Sequence, residues 1–427
     1  MTRATSRLTQ VRQPKGRDLT GGSLHQAIWH LAPAMILELG ILNVAQVLDA
    51  YWVGRLGSAA LAAVTISTTV RWVLNSLANG LGIGGMAVVA RRVGSRDEES
   101  AGLAAGQTIL LGLGASLLVG GLGLAVARPL LILLGAGAGV LPLALAYLRV
   151  ALLGIWTLVL SFVINSMLRG AGEARWSMRV LILSTVTTVL LEPVLILGLG
   201  PVPPLGVVGS AWAFVLGYAA GLILQVIILV QGRARFRIHL RHLRPDLSLM
   251  KQIVSIALPS TVQMTLRSSS RLVILALLGF YGTFATAGYG VANRLLLIAL
   301  FPCFGLGNAA GTLVGQNLGA GQPERSERSA WWVSAYAAGY MAVVAGALTL
   351  LAPSLIALFD PTPQVVTFGA ECLILVAWSE VASAVGVVLA RSFDGAGNTV
   401  PAMSINLFSL WGVEVVLAWA LSHGLGW

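Results

Sequence analysis

LGIGGMAVVARRVGSRDEES (81–100) and LGNAAGTLVGQNLGAGQPER (306–325) are one passage written twice. Leu81-Gly82 stands against Leu306-Gly307, Val89 against Val314, Gly94 against Gly319 and Glu99 against Glu324, always 225 residues apart. The register holds outward in both directions. Gly57 meets Gly282 and Ala62 meets Ala287 upstream. Downstream, Gly170-Ala171-Gly172 meets Gly395-Ala396-Gly397 and Met178 meets Met403. One constant offset over such a distance marks an internal repeat, and each copy must then be a structural unit.

The composition names the solvent of that unit. The 427 residues are 57% apolar and only 10% charged, with a mean hydropathy of +0.85. Soluble domains carry roughly a quarter charged residues. A membrane-crossing helix needs about 20 predominantly apolar residues. Such stretches recur at 27–53, 60–90, 101–127, 137–167, 177–199, 208–231, 250–280, 285–315, 330–352, 364–390 and 401–424. Short segments of apolar/polar alternation, the signature of a membrane barrel, do not occur. The chain is expected to be an all-α integral membrane protein, a two-lobed helical bundle of six plus five transmembrane helices. The tail is 1–26, the N-lobe 27–231, a basic linker 232–249 and the C-lobe 250–427. Trp427 answers to Val202 in the first copy, ahead of its sixth helix, so the twelfth helix of a six-plus-six pattern is absent. Six helices per copy give both copies one orientation, an arrangement that handles substrate between the halves.

The net charge of +11 does not point to nucleic acid, because its placement follows topology. Clusters at Arg3–Arg17, Arg91–Arg96, Arg169–Arg179, Arg233–Lys251 and Arg325–Arg328, with Arg391, all fall on one side of the membrane. Only Arg55 and Arg128 fall in the loops opposite. By the positive-inside rule the N-terminus and linker are cytoplasmic. Residues 1–26 are polar and basic and show no signal-peptide pattern. Cys303 and Cys372 sit in apolar helices and offer neither a disulfide framework nor a metal motif.

Three segments resemble one family. LAPAMILELGILNVAQVLDAYWVGRLGSAALAAV (31–64) resembles the first helix and following turn of the multidrug and toxic compound extrusion (MATE) transporters. LRGAGEARWSM (168–178) resembles their loop between helices 4 and 5, and GLGNAAGTLVGQNLGAGQPERSERSA (305–330) their helix 8 and the loop after it. The branch it resembles is the prokaryotic, DNA-damage-inducible-like one. The resemblance implies export of cationic or amphipathic compounds by alternating access, driven by H⁺ or Na⁺. The family commonly carries an Asn and, four residues later, an Asp before Pro in its fifth helix. Thr188 and Glu192 occupy those positions here.

Carboxylates at membrane depth cost about 2.5–3.5 kcal/mol on insertion scales, so each needs a reason. Asp49 and Glu192 fall at similar depth in the outer half of the N-lobe, and their repeat mates are the apolar Ile274 and Leu417. Either they form an ion-coupling site for H⁺ or Na⁺, with Thr188 as a hydroxyl ligand, or they are buried acids satisfied by Thr188 or an arginine. Glu38, Asn43, Gln46 and Asn165 either line a cavity or bridge helices. Glu371, Glu380 and Glu414 are expected to pair with Arg267, Arg271 or Arg294.

The function expected is cation-coupled antiport of organic cations by a monomer in the bacterial inner membrane, without a cofactor. The alternative is a lipid-linked oligosaccharide flippase of the same superfamily. An enzyme is not expected. His25, His30, His239, His242 and His423 lie near helix ends or in loops, with no His-Glu-x-x-His pair and no nucleophile elbow. His239-x-x-His242, in the basic linker, reads as solvated.

Overall fold

The computed structural model describes residues 18–199 and 203–424. Arg3, Arg7, Arg12, Lys15, Arg17 and Trp427 lie outside them. Helix follows helix: α1 Leu24–Gly54, α2 Ser58–Gly94, α3 Glu98–Leu133, α4 Leu141–Leu153, α5 Ile155–Gly170, α6 Ala174–Leu197 and α7 Val207–Val230. After a single 3₁₀ turn at Leu240–Leu243 come α8 Leu247–Leu278, α9 Thr283–Gly319, α10 Pro323–Phe359 and α11 Pro363–Ala396. Last are α12 Thr399–Asn406, a widened π-helical stretch Leu407–Glu414, and α13 Val415–Gly424. Among the described residues nine helices are long and apolar enough to cross a membrane, with α12 to Ser422 taken as one, and ten when α4 and α5 are joined. The eleventh long element, α8, is less apolar. Arg267, Arg271 and the hydroxyls between Ser260 and Ser270 dilute it.

The span expected at 137–167 is broken. Its halves α4 and α5 meet at Gly154 with a bend of 50°. Val215 of α7 occupies the space that a Cβ at Gly154 would need. At the repeat position Ser379, α11 runs straight through.

α1, α2, α3 and α6 return 225 residues later, as α8, α9, α10 and the run from α12 to α13. Shifting α2 by that offset gives 283–319, the bounds of α9. Both helices begin after a glycine in the left-handed region, Gly57 at φ 102° and Gly282 at φ 92°, which only glycine adopts freely. The repeated glycines also mark reciprocal contacts. A Cβ on Gly94 would strike the Gln316 carbonyl, and one on Gly319 would strike the Arg91 carbonyl. Residues 91 and 316 are repeat mates, as are 94 and 319. Likewise Gly80 abuts Thr261 while Gly305 abuts Ile36. Such swapped pairs require a pseudo-twofold axis running along the helices between α2 and α9.

All these contacts lie toward the end that carries the arginine clusters, here the basic end. The cores there cross the middle of the chain. Ile28, Leu31 and Met35 of α1 are buried with Leu306, Val333 and Val388 of α9–α11. Reciprocally, Leu249, Ile253 and Ile256 of α8 join the core of α2–α7. Toward the far end the cores separate. One holds Val53, Val64, Tyr147, Ile196 and Val207, the other Leu296, Ile356, Val365 and Leu373. The bundle is fused at one end and parted at the other.

Thr312 Oγ1 donates to the Arg169 carbonyl at 3.0 Å and Gln316 Nε2 donates to the Gly170 carbonyl at 2.8 Å, which ties the α5–α6 turn to α9. In that turn, burial pushes Glu173 from its ordinary 4.5 up to about 6, with Arg235 pulling the other way. An acid raised in the fold destabilises it when ionised. The cost is absent below pH 4.5 and complete once the pH has risen well past 6. Glu173→Gln should therefore gain about 1–2 kcal/mol over the parent in alkaline buffer and nothing near pH 4.5, read from thermal melts across the pH range.

Gly395 sets a second expectation. A Cβ there would collide with the Gly311 backbone, where no side chain can move away, whereas Gly386 has open space. Gly395→Ala should cost about 1–3 kcal/mol. Gly386→Ala should be neutral or up to ~1 kcal/mol stabilising. Melting temperatures of the two purified variants compare them directly.

Candidate functional site

The parted far half contains a cavity of about 310 Å³, walled by α1, α2 and α4–α7. Small residues shape it. Along α7, Gly217 and Gly221 stand four apart and press on Thr188 and Ser184 of α6, where a Cβ would clash. Gly209 packs as closely on Leu195. With that stripe buried against α6, the neighbouring stripe Ser210, Phe214 and Tyr218 is turned into the cavity. On α6, Pro193 lacks an N–H and leaves the Val189 carbonyl without its helical partner.

Asp49 and Glu192 meet here. The Glu192 carboxyl lies within interaction range of the Asp49 carboxyl, and Ser210 Oγ donates to Asp49 Oδ1 at 2.8 Å. Glu192 is only 2% exposed, and its Oε2 has no partner among the described residues. Two carboxylates this close and shielded from water repel one another, and a cation placed between them would relieve that repulsion. Thr188 lines the same cavity, with its hydroxyl donated to the Ser184 carbonyl at 2.9 Å rather than to Glu192. Opposite stands Arg71. Its guanidinium lies 3.9 Å over the Phe214 ring, and Nη1 donates to Tyr147 Oη at 3.0 Å. Among the described residues it makes no ion pair with either acid. The cavity thus offers one shared acidic site, one cation held by an aromatic ring and a phenol, and apolar walls.

Of the other residues expected at a cavity, Gln46 lines it. Asn43 instead donates back to the Leu39 carbonyl at 2.8 Å. Asn165 is buried and accepts from Gln225 Nε2 at 2.9 Å, bridging α5 to α7. Glu38 lies three helical turns from Asp49, about 16 Å along the axis, in the fused half. There it pairs with Arg169 Nη1 at 3.1 Å. Of the two readings open for Glu38 this is the helix bridge, α1 to α5, because the cavity does not extend that deep. The pairs expected between Glu371, Glu380 or Glu414 and Arg267, Arg271 or Arg294 do not form among the described residues. Arg267 reaches Asn406 Oδ1 at 3.4 Å instead. A shallower hollow on α10, at Glu324, Trp331 and Trp332, gathers no buried polar group.

Tyr147, Ser210, Phe214 and Tyr218 escape a reading by charge. The signal for three of them is the small-residue stripe of α7, which identifies by elimination the face that must point elsewhere.

The family model MatE matches residues 34–194 and 259–420. The chain belongs to this family of transporters. It is a multi-pass membrane protein that moves its substrate and is not an enzyme. The MATE chain is 26% identical over 408 residues to the probable multidrug resistance protein YoeA of Bacillus subtilis (strain 168), covering 93% of this chain and 88% of that one. It is 27% identical over 379 residues to a protein named FAD transporter from Shewanella oneidensis, covering 87% and 83%. A solved outward-facing MATE transporter of the MOP superfamily superposes with a TM-score of 0.85 at 26% identity, over 95% of this chain and 90% of that one.

Arg71 places a positive charge in a cavity otherwise governed by acids. Arg71→Gln should bind a monovalent cationic dye about fivefold more tightly, for ~1 kcal/mol of lost repulsion at cavity distances, as followed by fluorescence titration of purified protein. Weaker binding would mean that Arg71 holds the cavity's shape rather than setting its charge.

Proposed function

We propose that this transporter exports organic cations across the bacterial inner membrane by antiport with H⁺ or Na⁺, with its N-terminus and basic end in the cytoplasm. The observation that carries the reading is the Asp49–Glu192 contact inside a cavity large enough for a small drug. A proton or Na⁺ on that pair neutralises the charge that would hold an organic cation. The two cargoes then compete for one site, and exclusion at a single site is the simplest physical basis for exchange. Thr188 and Ser210 add hydroxyl oxygens suited to a hard cation. The residue blocks 27–231 and 250–427 act as the two moving bodies, hinged where the glycines of α2 and α9 touch. With the basic end cytoplasmic, the far-end cavity faces outward. The flippase alternative rests on Arg71, Arg267, Arg271 and Arg294; of these Arg71 is engaged by Phe214 and Tyr147 and Arg267 reaches Asn406.

Proteoliposomes with an imposed pH gradient in one arm and a Na⁺ gradient in the other test this. Asp49→Asn should fold normally and lose gradient-driven dye movement by about tenfold or more. Glu192→Gln should follow it, and Glu414→Gln, outside the cavity, should transport as the parent does. Unchanged rate and gradient dependence in Asp49→Asn would sink the coupling role. The arm that drives the parent identifies the ion.

A further inference from the structure

Between the two stretches matched by the family model lie residues 195–258, and they hold a group of donors that transport leaves unused. His239 stands at the N-cap of the single 3₁₀ turn Leu240–Leu243 and His242 lies within it. In a 3₁₀ turn side chains three apart eclipse, and the two rings stand 5.1 Å apart and nearly perpendicular, at 86°. Glu99, in the first turn of α3, faces them. Nitrogen and carboxylate donors of all three residues lie within 4.8 Å of one another. The structure corrects the solvated reading for His242, which is only 2% exposed, whereas His239 is exposed.

We propose that Glu99, His239 and His242 bind a divalent transition-metal ion of the zinc class, which clips the basic linker onto α3. Two imidazoles and one carboxylate with an open fourth position suit Zn²⁺. With bonds near 2.0–2.2 Å, tetrahedral ligands stand about 3.4 Å apart, so small side-chain rotations close the site.

The turn is already seated for this purpose. Gln107 Nε2 donates to the carbonyls of His242 and Arg244, each at 2.8 Å, and Gln107 Oε1 accepts from the Asp246 amide at 2.9 Å. Gly102 and Gly106 bring α3 against His242 and the Arg237 carbonyl with no Cβ between. Arg241 holds Glu99 Oε2 at 2.8 Å. That leaves Oε1 for the metal, with Oε2 steadied by a partner as ligating carboxylates usually are. Oε1 now meets His242 Nε2 at 2.8 Å. On binding, the metal takes Nε2 and the ring proton moves to Nδ1, so the His239 amide gives up the 3.3 Å bond it now donates to Nδ1.

The arginines decide which cation fits. A basic linker repels any second positive charge, so ions held mainly by charge, such as Mg²⁺ and Ca²⁺, gain little there. An ion held by imidazole coordination binds regardless.

Tag-free, full-length protein in detergent, stripped with chelator, should take up one Zn²⁺ per chain at micromolar concentration in equilibrium dialysis, and excess Mg²⁺ or Ca²⁺ should not compete. His239→Asn and Glu99→Gln should each weaken uptake by about tenfold or more. Zn²⁺ should slow tryptic cleavage at the linker arginines in the parent and not in His239→Asn. His239 is exposed, so its variant folds without the complication that the buried His242 brings. No uptake by the parent, or uptake by both variants as tight as the parent's, would overturn the site.

Discussion

The contact on which everything else rests is backbone against backbone. Apolar helices in lipid feel no hydrophobic drive to associate, so close packing and interhelical hydrogen bonds must hold them. At the basic end Gly94 lies on the Gln316 carbonyl and Gly319 on the Arg91 carbonyl, and the Thr312 and Gln316 side chains fasten the α5–α6 turn beneath. A seam this close allows no cavity there. Fusing the helices at one end of long rods spreads them at the other, and the separate far-end cores record that spread. The cavity is the geometric remainder of the seam.

The frame is symmetric and the chemistry is not. Glycines that make the seam occur in both copies, because both faces of a twofold contact must be narrow. The charged residues of the cavity and Tyr147 do not recur. Asp49, Arg71, Tyr147 and Glu192 answer to Ile274, Leu296, Cys372 and Leu417. A requirement of the fold would appear twice, so residues that appear once belong to what the cavity holds. The cost of placing acids at this depth is offset by their sharing one site and by the Ser210 hydroxyl.

How far the sequence could be read follows from the kind of signal each feature leaves. Helices, repeat and family were legible, because hydropathy and a fixed offset are properties of the chain itself. The bend at Gly154 was hidden, since its cause is Val215, sixty-one positions away and without a matched partner at Ser379. Asp49 and Glu192 could be placed at one depth by counting residues from helix ends, but counting could not say that they touch. For Glu38 a cavity and a helix bridge stood equally open, and only the depth of the cavity, which a residue count does not show, decides for the bridge to Arg169. His242 failed because burial of a loop residue depends on what the loop leans on, and Gly102, Gly106 and Gln107 of α3 supply that support.

A site confined to the first half can act on the second only through elements that belong to both. A bound ion shifts a conformational balance by no more than the difference in its affinity for the two states, so something rigid must make those states differ at the site. α1 meets that condition. Its far half carries Asp49 to the cavity, while its basic half buries Ile28, Leu31 and Met35 among α9–α11 and bonds Glu38 to Arg169 of α5. α2 meets it as well, with Arg71 in the cavity and Gly94 in the seam. Any movement that parts the seam must therefore tilt both helices. Asp49 would then shift against Glu192, which sits at the far end of α6, a helix that enters that exchange of cores only at its start, through Ala174 and Met178.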